Sequence, residues 1–189
     1  MSTFNDLFEK RTSSILLEIS SFNLNRKSKL GGMPPAYFDN IDEKELKDEY
    51  YYLFTLSDEF SEFIGDKDLS VFIPKDYSNY GASSLYPELN VKCFIHEHSV
   101  ISASTSVYMH PELVESSLIP IEKENKPSDE EYSYFIKIGS IPYLLQDEAY
   151  FYRDLASKGY EFIFQLDENG LTEEYLKGNY PFGFGAVYF

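Results

Sequence analysis

At 189 residues, 43% hydrophobic and 17% aromatic, the chain has enough apolar material for a packed interior and too much for disorder beyond short loops. Sixteen basic against 32 acidic residues leave a net charge of −16, a field that repels phosphate backbones and anionic lipid and speeds encounter with a basic partner. A single cysteine rules out an intramolecular disulfide, and no apolar run is long enough to span a bilayer, so the expectation is a soluble, cytoplasmic protein.

Taken in chain order, Phe4, Leu7, Phe8 and Arg11 fall at helical spacing, and Ser2 or Thr3 can cap a short helix over 3–11. Ile15 to Ile19 reads as a strand and 23–28 as polar loop. The block Lys29-Leu30-Gly31-Gly32-Met33-Pro34 follows. Glycine reaches positive φ and proline fixes its own, so this block predicts a rigid turn at the start of a sheet. Residues 41–49 predict an acidic helical turn, and Tyr50 to Leu56 an aromatic strand. Ser57 is placed to cap a short helix through Phe63, and Asp66-Lys67-Asp68 marks a turn. Leu69 to Ile73 is a buried strand stopped by Pro74, residues 75–90 are loop, and Val91 to Ile101 is the next strand, with Cys93 expected as a buried, inert thiol.

Residues 102–119 are ambiguous, with a helical turn readable from Pro111. The charged stretch 122–131, with Pro127, is the most linker-like piece and sets a boundary between halves at 1–125 and 126–189, packed as one globular unit. Beyond it the pattern predicts a strand over Tyr132–Ile138 and a helix from Gln146 or Asp147 through Ser157, with Gly159 as its C-cap. A strand over Tyr160–Leu166, a turn at Asp167–Gly170, a short helix from Thr172 to near Gly178 and a final strand complete the chain.

The six-residue glycine–proline block returns as Lys137-Ile138-Gly139-Ser140-Ile141-Pro142, 108 positions later. Phe54-Thr55-Leu56-Ser57-Asp58 matches Phe164-Gln165-Leu166-Asp167-Glu168 at 110, and Val71-Phe72 matches Val187-Tyr188 at 116. Order is kept and the offset only grows, as loop insertions would make it. The fold expected is α+β, predominantly β: an internal duplication of two similar β-rich lobes with short helices. Ser140 in place of the second glycine implies that only the first glycine position is sterically demanding.

These same residues resemble the YwqG-like family of bacterial proteins, which have no established activity. The resemblance rests on Ser28 to Pro34, on Ile138-Gly139-Ser140-Ile141-Pro142 and on Gln146-Asp147. Phe164-Gln165-Leu166-Asp167 and the closing Gly185-Ala186-Val187-Tyr188-Phe189 complete it. It covers most of the chain from Ile15 and is weakest between 75 and 130. Ser140 departs from a usual glycine, and Thr55 stands where the family often has glutamine. The resemblance implies a duplicated, mostly β fold, and some relatives look like immunity partners of secreted bacterial toxins.

Few residues call for chemistry. His96 and His98 lie two apart on a strand, hence on one face, but no spacing rule ties His110 to them, so no metal and no cofactor is assigned. Adjacent acids such as Asp147-Glu148 and Glu173-Glu174 do not by themselves place two carboxyls across a cleft, so no catalytic residue is assigned. The favoured reading is a non-catalytic protein-binding module, of the immunity type, that neutralises a basic bacterial toxin. It engages no nucleic acid and no membrane, and its oligomeric state is left open. The contacts expected are Asp58, Glu59, Asp167 and Glu168, at equivalent strand ends of the two halves. The alternatives are an enzyme or small-ligand binder with a site between the lobes, and a structural subunit.

Overall fold

Among the described residues, nine strands and few helices make this a predominantly β protein. A computed structural model describes residues 14–41, 44–57, 61–76, 91–104, 106–122, 133–140, 142–144, 155, 157–182 and 185–189. The expected helix over 3–11 and the linker core at 123–130 lie outside them, as does most of the helix from 146. Strands β1 to β9 run Ile15–Ser21, Lys29–Leu30, Tyr50–Leu56, Lys67–Pro74, Lys92–Glu97, Ser116–Pro120, Ile136–Ile138, Phe164–Asp167 and Ala186–Tyr188. The helices are α1, Lys44–Glu49, and α2, Ser61–Ile64. Short 3-10 turns occupy Ala36–Asn40, Ser106–Tyr108 and Glu168–Gly170.

The chain divides into two units, neither a continuous stretch of sequence. One comprises Met1–Glu18, Pro120–Gly170 and Gly185–Phe189, and the other Ile19–Ile119 and Leu171–Phe184. In the larger unit β6, β2, β3, β4 and β5 follow one another in antiparallel order. In the smaller unit the antiparallel order is the first part of β1 (through Glu18), β7, β8, β9.

Each unit contains a short strand that ends in a pair of left-handed residues. Gly31 and Gly32 follow β2 with φ of 61° and 69°, and Gly139 and Ser140 follow β7 with φ of 73° and 55°. Gly31 N–H donates to Leu53 O and Gly139 N–H to Ile163 O, both at 2.8 Å. Lys29 pairs with Thr55 and Leu30 with Phe54; Lys137 pairs with Gln165 and Ile138 with Phe164. The second hook position is therefore as left-handed as the first, which corrects the expectation drawn from Ser140. In the larger unit it is also sterically tight, since a Cβ on Gly32 would lie 2.4 Å from the Glu115 side chain.

Register also moves the third sequence match. Leu56 pairs with Leu69 and Leu166 with Val187, so Val187 corresponds to Leu69 and not to Val71. The slip is two residues, an even number, which leaves each side chain on its original face.

Several elements differ from their sequence pattern. Strand β5 stops at Glu97, and Ile101 makes only an isolated bridge to Pro35. Residues 133–135 precede β7 without joining it, and β8 starts at Phe164. Residues 116–120 form β6, and no helical turn starts at Pro111 because Leu113 bridges Leu176 instead. Thr172–Tyr175 closes a single turn, with Thr172 O accepting from both Tyr175 and Leu176 N–H, in place of a helix. Gly159, at φ 83°, does end the helical residues before it, where Tyr160 N–H reaches back to Leu155 O.

The core of the larger unit is aromatic. Phe38, Leu46, Tyr50, Tyr52, Phe72 and Tyr108 form one buried cluster, with Phe38 edge-on to Phe72 at 4.7 Å between centroids. Period-two alternation puts Tyr50, Tyr52 and Phe72 on one sheet face, while α1 contributes Leu46 and the Ala36–Asn40 turn contributes Phe38.

The left-handed hook gives a direct test. Replacing Ser140 by glycine should stabilise the protein by up to about 1 kcal/mol, because the Cβ penalty of that region disappears. Gly139→Ala should destabilise it by about 1–2 kcal/mol. Urea unfolding of both variants measures the two signs.

Candidate functional site

The densest polar arrangement among the described residues lies in the larger unit, on the same sheet face as the aromatic cluster. A bulge between Tyr52 and Phe54 inserts Leu53 as an extra residue in β3. Without it Tyr52 and Thr55, three apart, would point to opposite faces; with it both face the same way. Tyr52 Oη then donates to Thr55 Oγ1 at 2.8 Å, Thr55 Oγ1 and Ser70 Oγ lie 2.7 Å apart, and Ser70 Oγ lies 2.8 Å from His96 Nε2. His96 Nδ1 meets the Glu97 carbonyl at 2.9 Å.

All four side chains are buried, and one assignment of protons satisfies every link. In it Tyr52 donates to Thr55, Thr55 donates to Ser70 and Ser70 donates to His96 Nε2. The imidazole is then neutral, with its proton on Nδ1 aimed at the carbonyl. Burial lowers the His96 pKa, opposed by the Glu97 carbonyl bond and by Asp68, and burial pushes the Tyr52 phenol up.

Beside this chain lies a buried carboxylate. Asp68, whose side chain is 3% exposed, accepts from Ser57 Oγ at 2.6 Å and holds His98 Nδ1 at 2.9 Å. Ser57 N–H in turn donates to Ser28 Oγ. Asp68 is thus an interior strand residue, not part of the turn expected at 66–68, which is confined to 65–66. Ser57 directs its hydroxyl proton to Asp68. The helix it was expected to cap is seen only as Ser61–Ile64, with 58–60 outside the described residues.

The hook lysine is buried as well. Lys29, 2% exposed, donates to the Met33 carbonyl and to Glu115 Oε1 at 3.1 Å. Burial draws its ammonium below the ordinary lysine value, while Glu115 acts in the opposite sense. The salt bridge offsets the cost of desolvating the charge.

One difference between the units has a local explanation. In the smaller unit Gln165 Oε1 accepts from Tyr143 N–H at 2.8 Å. The residue 108 positions before Tyr143 is Pro35, which has no N–H to satisfy, and the position matching Gln165 is Thr55. With no amide to serve, Thr55 turns its hydroxyl into the Tyr52–Ser70–His96 chain.

The residues singled out in the sequence occupy different settings. Asp58 and Glu59 lie outside the described residues. Asp167 and Glu168 are buried: Asp167 Oδ1 accepts from Asn169 N–H, and Glu168 Oε2 accepts from Gly185 N–H. Their carboxylates shape the end of β8. His96 ends the Tyr52–Thr55–Ser70 chain and His98 pairs with Asp68, whereas His110 packs edge-on against Tyr51 and accepts from Glu112 N–H. The three histidines do not converge, and among the described residues no group of three His, Cys, Asp or Glu side chains could hold a metal ion. No described helix is long and apolar enough to cross a membrane.

Cys93 is exposed on β5, a correction to the buried thiol expected from its apolar neighbours. It alternates with Phe94 and lies on the sheet face opposite His96. Desolvation by its surroundings still pushes the thiol up to about 11.

Comparison with protein-family models and with curated proteins returns no match. The sequence did not reveal the Tyr52–Thr55–Ser70–His96 chain. Its signal was polar residues two apart, Asp68 and Ser70 in β4 and His96 and His98 at the end of β5 and just beyond, which becomes legible only once register pairs Asp68 with His96 and sets Ser70 diagonal to it.

Thr55→Val keeps the shape but leaves Tyr52 and Ser70 without the hydroxyl between them. We expect a loss of about 1–3 kcal/mol in urea unfolding. Cys93 should alkylate in the native protein, slowly at neutral pH and about tenfold faster per pH unit until the thiol ionises. Mass spectrometry of iodoacetamide-treated samples measures the rate.

Proposed function

We propose that the chain is a non-catalytic protein-binding module of the YwqG-like kind, an immunity-type protein that neutralises a basic bacterial toxin. The observation that carries this reading is the net charge of −16. At physiological ionic strength a field of this size acts over roughly 8 Å, enough to steer a basic partner before contact.

Two structural features support it. The polar side chains of the Tyr52–His96 chain and the Asp68 corner are turned toward one another, an arrangement suited to holding a scaffold rigid. Exposed tyrosines, Tyr37 in the larger unit and Tyr143, Tyr160 and Tyr188 in the smaller, supply the side chains that protein interfaces favour. Tyr188 Oη donates to the Tyr143 carbonyl, which fixes one pair of them in place. Asp58 and Glu59 remain proposed contacts. Exposed Asp48, Glu49, Glu97, Glu173 and Glu174 join them, while the buried Asp167 and Glu168 contribute to the field.

We also propose that the chain arose by internal duplication. The matched hooks, with the same left-handed pair, the same N–H to the following strand and the same register, support that origin.

The test is a pull-down from the native host followed by stopped-flow binding of the purified partner. A basic toxin encoded beside this chain should be captured, with an association rate that falls about tenfold or more between roughly 0.05 and 0.5 M salt. Co-expression should rescue growth. A partner that binds at a salt-independent rate, or no rescue from the neighbouring toxicity, would overturn the reading.

A further inference from the structure

His96 joins the hydrogen-bond chain to the outer turn of the larger unit. On its edge the ring takes the proton of Ser70. On its face it is covered by Tyr37, stacked at 4.6 Å between centroids and 15° between planes, and Phe38 meets it edge-on at 5.1 Å. Both aromatic residues belong to the Ala36–Asn40 turn. That turn is tied to the segment after β5 by Ala36 N–H to Val100 O, Tyr37 N–H to Ser99 Oγ, and Ser102 Oγ to Asp39 Oδ1.

We propose that His96 is an acid-sensitive latch, whose neutral ring holds the Ala36–Asn40 turn in place and releases it when the ring takes a second proton. The reason lies in the direction of the chain. A proton on Nε2 turns that atom from acceptor to donor, so Ser70 must reverse and donate to Thr55. Thr55 then accepts from both Tyr52 and Ser70, and its own hydroxyl proton loses the acceptor it has in the neutral chain. A strained, charged ring in the interior is the outcome, and opening the turn brings water to it.

The charged and titratable groups around the ring set the sense of the effect. From β4, Asp68 faces it, but that carboxylate already serves Ser57 and His98. From its own strand and just beyond come Glu97, paired with Lys67, and His98. The turn supplies Tyr37, and Asp39, which Ser102 engages. At the far end of the chain Lys29 approaches the Tyr52 ring at 5.6 Å. Asp68 and Glu97 favour the imidazolium; burial, the larger influence, and His98 oppose it, and the value falls below the ordinary 6.5.

The opened form, with a solvated ring, takes the proton near that ordinary value. Between it and the lowered value of the closed form, the opened form binds more protons. Acid therefore favours opening, by at most about tenfold per pH unit for one proton.

Amide hydrogen exchange of the full chain between about pH 8 and pH 5 tests this. Protection factors at Ala36 and Tyr37 should be flat at high pH and fall up to about tenfold per unit below about 6.5. H96Q should abolish the fall, and H98Q should keep it. An undiminished fall in H96Q, or none in the unmodified protein, would refute the latch. If H96Q does not fold, the ring spectrum of isotope-labelled unmodified protein decides. A neutral ring protonated on Nδ1 and persisting below 6.5 supports the latch. A ring that titrates at or above 6.5, or carries its neutral proton on Nε2, overturns it.

Discussion

The constraint on which each unit depends is a backbone conformation more than a side-chain contact. A short strand ends, two successive residues turn left-handed, and the first of them returns its N–H to the strand alongside. Left-handed φ twice in a row is costly for residues with a Cβ, so the sequence spends three glycines on four such positions. The hook sets where β2 ends against β3 and β7 against β8, and strand pairing carries that register outward to β4 and β9.

Within the larger unit the register has a chemical consequence. The extra residue Leu53 rotates the end of β3 so that Thr55 shares a face with Tyr52, and β4 and β5 then bring Ser70 and His96 into line. Four buried polar side chains satisfy one another, avoiding the cost that each would incur alone in an aromatic interior. Because every donor in that line has its acceptor, the neutral histidine at its end is held in a single tautomer. Chemical specificity here follows from a count of residues in a strand.

The two units solve the same local problem in different ways. Where the residue after the hook keeps its N–H, at Tyr143, a glutamine two strands into the unit accepts it. Where proline removes the N–H, at Pro35, the glutamine is absent and a threonine joins a different network. The difference between Thr55 and Gln165 thus has a physical cause that lies twenty residues away in the chain, at Pro35.

By itself the sequence determined the β-rich class, the aromatic strand at 50–56, the glycine–proline hooks and the acidic field. Each of these is written in local composition, spacing or conformational preference. Strand lengths in β5, β7 and β8, the failure of the turns near 111 and 172 to become helices, and the exposure of Cys93 were decided by tertiary pairing, because short apolar runs carry no mark of where their partners stop. The burial of Asp68, Asp167 and Glu168 was likewise beyond sequence reasoning. A carboxylate reads as surface unless its donors are known, and here those donors are Ser57 and His98, the Asn169 amide and the Gly185 amide, which only the folded backbone brings within reach.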